Sequence, residues 1–360
     1  MRLSRGGSIY KKKSEFLGIQ ALRCLAALMV VITHATDIWA DHVGIYPRPA
    51  TWGNGTAGVD IFFVISGFVM MTSSNRLLDS PHPARIFLWR RIVRIVPLYW
   101  ILTTLKLLII KSRPALAMHA APSIWNICAS YLFLPSYAGS GDIRPVLPVG
   151  WTLNFEMLFY VLFACALVFR IRVLYVLLPV LGILSWGAFY RTSGGPAITA
   201  FADPIVLDFI AGVLVALFLE KIQSIYAGAM ALAGCVAMSG ILAFVPYSSI
   251  SFERIGIYGG GAAVIVAATV ACETHLARVL PRWVLLLGDA SYSIYLVQSF
   301  ALPVAGALLI QAGLFSGRLP VGLVEGACVV VGTMMTLVMA VPMYKLIEYP
   351  ATMALKKVKV

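Results

Sequence analysis

Residues 16–35 read FLGIQALRCLAALMVVITHA, an apolar run broken by one arginine, Arg23, and one histidine, His34. The hydrocarbon core of a bilayer takes about 20 residues of helix, so this run is read as a membrane span. Ionisable groups are costly inside such a helix, and they therefore face a packed interior or a watery cavity and mark a working site. Arg23 and His34 are eleven residues apart. At about 100° per residue that is roughly 20° beyond three full turns, with about 16 Å between them along the axis. The two side chains share one face at two depths.

The rest of the chain has the same character. It has 360 residues, is 60% hydrophobic and 12% charged, and has a mean hydropathy of +0.90, far from a soluble domain. Ten apolar windows are long enough to span: 16–36, 57–74, 95–111, 148–169, 173–190, 204–220, 225–245, 255–273, 283–311 and 320–347. The expected fold is an all-α polytopic membrane protein, a bundle of about ten transmembrane helices. The last two windows are long enough to tilt or break. Ser123 to Pro135 is apolar but short and proline-bounded, so it is expected to be interfacial or re-entrant, and the course of residues 112–147 is left open.

The net charge of +13 is read through its distribution, as topology and not as affinity for nucleic acid. With the N-terminus inside, nineteen basic residues fall on the inner side and seven outside. Both termini are therefore expected in the cytoplasm. The expected organisation is a basic N-terminal tail over 1–15, one membrane domain over 16–347 and a basic C-terminal tail over 348–360. Thr33-His34-Ala35-Thr36-Asp37 is a poor cleavage site, so the first run reads as a retained span. Six scattered cysteines without a Cys-x-x-Cys pair and five histidines without His-x-x-x-His spacing give no support to a metal.

Four segments break the apolar pattern. Asp37 lies three residues after His34, a near neighbour on a helix surface; it can accept a hydrogen bond from one ring nitrogen and leave the other basic. FLWRRIVRIVP (87–97) presents Arg90, Arg91 and Arg94 as a cluster of forks suited to phosphate oxygens, although inner-face anchoring accounts for part of it. Glu156, in GWTLNFEMLFY (150–160), is either a structural glutamate bonded to a neighbouring helix or a hydrogen-bonding group in the cavity of His34. GVDIFFVISGFVM (58–70) puts Asp60 at the outer end of the second window and Ser66-Gly67 mid-span, where a small pair lets a helix or ligand approach. Arg23 alone could simply snorkel to the inner interface. Lying between an inner phosphate site and a deeper histidine, it suits a long carrier with a charged head and a reactive tip, such as acyl-coenzyme A.

Taken in order, Arg23-x10-His34, GVDIFFVISGFVM, FLWRRIVRIVPLYW, GWTLNFEMLFY, LGDASYSIYLVQ (287–298) and IEYP (347–350) resemble the membrane-bound acyltransferase family 3, and within it the rhizobial-type exopolysaccharide acetyltransferases. The resemblance implies a bacterial inner-membrane enzyme. Its donor would be acyl-coenzyme A, expected to be acetyl-coenzyme A, and its acceptor a glycan or lipid-linked oligosaccharide among membrane lipid. His34 and Arg23 would be essential, the cluster Arg90 to Arg94 would belong to the donor site, and polysaccharide-assembly proteins would be candidate partners. Two positions depart from the family pattern: Cys24 stands where many relatives have glycine, and Gln298 where many have histidine. Glutamine cannot relay a proton near neutral pH, so no acid or base role is carried to it.

The expected reaction moves a short acyl group to a sugar hydroxyl. His34 would be the base, Asp37 or Glu156 its hydrogen-bonding partner, and Arg23, Ser66, Arg90, Arg91 and Arg94 the donor side. An acyl-histidine intermediate stays open. The competing readings are a carrier that moves a lipid-linked sugar or acyl group without bond chemistry, and a non-catalytic assembly subunit. Paired broken helices in two related halves, frequent in transporters, are not visible in the sequence. Gly256-x-x-x-Gly260, within a run of glycines, is expected to make an intramolecular close contact.

Overall fold

A computed structural model describes residues 16–42, 51–74, 77–78, 80–112, 121–244, 254–316 and 319–356. The basic segment 1–15 and residues 357–360 of the expected C-terminal tail lie outside the described residues. Every named element in the described residues is helical. In chain order they are α1 (Leu17–His42), α2 (Ala57–Ser74), α3 (Pro83–Ser112), α4 (Ile124–Tyr131), α5 (Trp151–Val168), α6 (Val173–Gly187), α7 (Leu207–Leu217), α8 (Leu219–Ser224), α9 (Ala227–Phe244), α10 (Gly260–Ala271), α11 (Glu273–Val279), α12 (Arg282–Asp289), α13 (Ser291–Gln311), α14 (Val321–Met343) and α15 (Tyr349–Lys356).

Each of the ten apolar windows holds a helix, but among the described residues fewer than ten qualify as spans. Seven are long and apolar enough: Leu17–Ala40, Gly53–Ser74, Pro83–Ser112, Pro148–Val168, Val173–Tyr190, Ser291–Gln311 and Val321–Leu355. An eighth results if Ile255–Ala271 and Glu273–Val279, bent by 73°, are one span. Windows 204–220 and 225–245 hold the shorter helices Pro204–Leu217 and Ala227–Ala243. The first of these starts at Pro204 behind an Asp203 cap, whose Oδ1 accepts from Ile205 N at 3.0 Å, and stops at Phe218, which leaves helical geometry. Hydropathy averages over such breaks, so ten apolar windows correspond to seven or eight helices that are long enough to span among the described residues.

Two other boundaries differ from expectation, and the ninth window breaks as its length allows. The third span begins at Pro83 instead of residue 95, so the arginine-rich segment is the first part of α3. The ninth window does break, at Ala290, separating α12 from α13. The last window runs on to residue 355: a π-helical turn, Tyr344–Glu348, precedes Pro350, and Trp89 Nε1 donates to Leu355 O at 3.1 Å. Residues 348–356 are thus held against α3 as helix. The Ser123–Pro135 segment forms only the eight-residue α4, capped by Ser123 and too short to span.

Burial separates the helices into two sets. Buried fractions of 56%, 72%, 56% and 61% mark α1, α2, α5 and α13 as the inner ring, against 33%, 17% and 28% for α3, α6 and the last span. Lipid tails are as apolar as leucine, so helices associate through close packing and polar contacts. Close packing is carried by glycine at two places on α2 and α7. A Cβ on Gly67 would meet Phe209 O, and one on Gly212 would meet Val64 O. Phe63 and Phe159 stack on Phe209 at centroid distances of 4.5 and 4.3 Å, locking α2, α5 and α7 together.

Polar contacts tie down α1. The first N–H groups of a helix lack intrahelical partners; here Leu17 N and Gly18 N donate to the two Glu273 carboxylate oxygens at 2.7 and 3.0 Å. A carboxylate at this position also complements the helix dipole. The α10–α11 bend places that carboxylate. In the glycine run before α10, Gly256 meets nothing and Gly260 only its own turn, while the close contacts fall on Gly259 against Asp208 and Gly261 against Ile241.

Candidate active site

The inner ring borders two chambers, one towards each end of α1. The inner chamber, about 120 Å³, is lined by Arg23, Ser66, Arg91, Arg94, Glu156 and Tyr160, among others. Four helices supply these six residues: α1 the first, α2 the second, α3 the next two and α5 the last two. Ser66 Oγ donates to Glu156 Oε2 at 3.0 Å, a bond between neighbouring helices. Arg91 Nη2 donates to Ser73 Oγ at 2.9 Å, and its guanidinium carbon lies 5.6 Å from the Phe87 ring centroid.

Arg91 Nε is buried without a partner, an orphaned donor of the kind that an anionic ligand would satisfy. Arg23 interacts electrostatically with Arg94, Glu348, Asp289 and Glu156. Glu348 is nearly buried and accepts from Ser293 Oγ. Three guanidinium groups thus converge on one chamber with counter-carboxylates around them. Arg90 does not join them: it is exposed and absent from the lining.

The outer chamber, about 650 Å³, is lined by His34, Asp37, Trp151, Asp203 and the arginines 144, 191 and 254, among others. Val59 and Tyr295 line both chambers, so the two abut there. Tyr295 is fixed at that boundary: its hydroxyl donates to Val149 O and accepts from Thr152 Oγ1, each at 3.0 Å. The common face of α1 thus opens on one chamber at Arg23 and on the other at His34.

His34 Nδ1 lies 3.0 Å from Gln298 Oε1, and Gln298 Nε2 donates to Tyr295 O at 2.9 Å. These two bonds determine the tautomer. The Tyr295 carbonyl can only accept, so the Gln298 amide group faces it and the amide oxygen faces His34. That oxygen in turn requires a proton on Nδ1, which leaves Nε2 as the basic nitrogen. Gln298 is 1% exposed, so its side of the bond is shielded from water.

The sequence pattern assigned this orienting role to Asp37 or Glu156. Asp37 lines the chamber of His34, but the Nδ1 bond goes to Gln298; Glu156 lines the other chamber. The reason is reach, since α13 packs against α1 and brings Gln298 to the ring across 264 positions of sequence. Asp60 is also engaged: Arg254 Nη2 and Nε bond its carboxylate at 2.7 and 3.2 Å, and it is 1% exposed. Nothing at Asp60 itself pointed to Arg254; the available signal was a lone arginine directly before an apolar window. Among the described residues no group of three or more His, Cys, Asp or Glu could hold a metal.

A family model for an acyltransferase domain, that of acyltransferase family 3, matches residues 16–344. The chain belongs to this family. As an acyltransferase of family 3 it is similar to the exopolysaccharide production protein ExoZ of Rhizobium meliloti strain 1021, with 34% identity over 277 residues, covering 72% of this chain and 80% of the relative. It is also similar to Staphylococcus aureus proteins, among them those of strains COL and MSSA476, that are named provisionally as O-acetyltransferases. These are 24% identical over 332 residues, covering 82% of this chain and 52% of each relative. The chain thus spans about half the length of the staphylococcal relatives. No solved structure matches it.

The two chambers separate the arginines experimentally. If the inner one holds an anionic acyl donor, Arg91→Gln and Arg94→Gln should each raise the donor KM about tenfold or more, the scale of one charge-assisted hydrogen bond. Arg90→Gln should leave it within experimental error. Steady-state kinetics with varied donor checks this; an equal effect at all three positions would mean that general surface charge governs donor binding.

Proposed function

We propose that this acyltransferase moves an acetyl or other short acyl group from acyl-coenzyme A to a sugar hydroxyl of an exopolysaccharide or of its lipid-linked precursor, in a bacterial cytoplasmic membrane. The observation that carries the reading is the oriented His34: a histidine whose basic nitrogen is defined by Gln298, lining a chamber large enough for a glycan and abutting a second chamber lined by arginines. The inner arginines and the orphaned Arg91 Nε suit a phosphate-bearing donor, and the positive-inside pattern supports a cytoplasmic origin for it. ExoZ and the staphylococcal names support glycan O-acylation.

On this reading, His34 Nε2 takes the proton of the acceptor hydroxyl as that oxygen attacks the thioester carbonyl. The carbon–sulfur bond breaks, a carbon–oxygen ester bond forms, and His34 returns the proton to the leaving thiolate. Gln298 holds the ring and its tautomer throughout and exchanges no proton. Arg23, between the two ends of this path, braces the donor side. Acyl-coenzyme A supplies the activated acyl group, and the chain supplies position, base and exclusion of water.

The test is the Gln298→Leu variant of purified protein, assayed with labelled acetyl-coenzyme A and host glycan. Loss of one buried hydrogen bond to the base is expected to lower kcat by about tenfold to a hundredfold while leaving the donor KM unchanged. No label on glycan from the wild-type protein would refute acyl transfer; an unchanged kcat in the variant would refute the orienting role of Gln298.

A further inference from the structure

Two connecting segments bound the outer chamber, and each contributes an arginine to its lining. Arg144 lies between α4 and α5, and Arg191 between α6 and α7. The first segment is built around Asn126, which is 1% exposed and donates through Nδ2 to Ser136 Oγ and Arg144 O, both at 2.9 Å. Arg144 N donates to Ser136 O at 3.1 Å, Tyr137 and Ile143 form an isolated bridge, and Val146 N donates to Ser130 Oγ at 2.9 Å. Tyr137 OH then donates to Gly195 O at 2.6 Å, tying the first segment to the second. Loops held together in this way present their side chains in a defined geometry.

The arginines of this lining are not equivalent. Arg254 is bonded twice to Asp60. The side chains of Arg144 and Arg191 make no hydrogen bond or ion pair among the described residues. Arg191 interacts electrostatically with Asp203 without pairing, and Asp203 Oδ1 is already occupied by the backbone of Ile205. Two arginines without a bonded partner among the described residues, Arg144 exposed and Arg191 half-buried, line a cavity of about 650 Å³, well within the size of ligand pockets, and a guanidinium fork matches the geometry of a carboxylate or phosphate. A neutral sugar offers such forks hydroxyl acceptors but no charge, so its hydrogen bonds to them are roughly half as strong.

We propose that Arg144 and Arg191 hold an oxyanion of the acceptor, a carboxylate or phosphate, while a hydroxyl of the same acceptor faces His34. The inference rests on the acyl-transfer reading and narrows it: the enzyme selects an anionic acceptor. A glycan can carry the oxyanion as an acidic sugar or acidic substituent, or the diphosphate of its lipid carrier can supply it.

Three probes separate these sources: a neutral oligosaccharide, the same oligosaccharide bearing one uronate, and the neutral oligosaccharide linked through diphosphate to a polyprenol. Binding and acyl transfer are measured for each with the full-length protein. The wild type should bind one anionic probe about tenfold to a hundredfold more tightly than the neutral one, the scale of charge-assisted bonds, and the preferred probe names the source. The preference should weaken with salt and collapse in the double variant Arg144→Gln/Arg191→Gln, with donor binding and unfolding temperature kept as controls of folding. Lysine at both positions should restore part of it.

Equal affinity of the wild type for all three probes, or a preference that survives the double variant, would overturn the proposal. If the double variant does not fold, the wild-type comparison and its salt dependence decide it. A preference that collapses as expected while no probe is acylated would leave the anion site standing and refute acyl transfer.

Discussion

Replacement of His34 by alanine or glutamine is expected to lower acyl transfer by about 10² to 10⁴-fold, the usual share of a general base, with donor binding unchanged. The two variants fail for different structural reasons and should agree functionally. Alanine leaves Gln298 Oε1 without its partner at a buried position, which costs about 1–3 kcal/mol of stability. Glutamine can keep a hydrogen bond to Gln298 but cannot take a proton near neutral pH. A loss common to both, in protein whose unfolding temperature is near wild type for the glutamine variant, is therefore a loss of proton transfer. Donor binding is the internal control, because His34 lines the outer chamber and Arg23, Arg91 and Arg94 the inner one. A glutamine variant that acylates at the wild-type rate would eliminate His34 as the base.

The second large effect is structural. Gly212→Val should destabilise the protein by about 1–3 kcal/mol or more, the cost of overpacking a close-packed contact, and should reduce both accumulation in the membrane and activity. Its Cβ would meet the backbone carbonyl of Val64, and a backbone cannot rotate away as a side chain can. Relief requires α7 to move off α2, which carries Val59, Phe62, Phe63, Ser66 and Val69 of the inner chamber wall. Gly182→Ala on α6 is the matched control: a Cβ there meets nothing within 4 Å, and alanine suits a helix better than glycine by roughly 1 kcal/mol. Thermal unfolding in detergent should rank Gly212→Val below wild type and Gly182→Ala at or above it. Equal stability of the two variants would show that the α2–α7 contact does not hold the chamber wall.

How far the sequence led depended on whether the determining information was local. Arg23 and His34 were legible as a pair because both stand on one helix, and 3.6-residue periodicity alone gives their common face. Ser66-Gly67 was legible as a point of close approach because a small pair in a span has few other uses. Arg91 and Arg94 were legible as members of a cluster, but not the separation of Arg90 from them, since the direction of each side chain depends on how α3 is rotated against α5. Gln298 was noted only as a departure from a pattern. Its role follows from a contact with His34 and a second with Tyr295, and no feature of a single sequence reports contacts across 264 positions. The same holds for Glu273 on the start of α1 and Arg254 on Asp60. Helix length within each window was not legible for a different reason: a hydropathy window measures composition and is blind to a bend at Cys272 or a late start at Pro204.

On the proposed function, one chain joins an inner donor chamber to an outer acceptor chamber and transfers the acyl group between them through His34. Reconstitution of the purified protein in sealed vesicles tests it most directly, with labelled acetyl-coenzyme A supplied only to the face carrying Arg91 and Arg94 and the glycan enclosed at the other. Ester-linked label is expected on the enclosed glycan and is expected to be absent in the His34→Gln variant. Label that remains on coenzyme A, or that reaches glycan only when both substrates share one side, would contradict it.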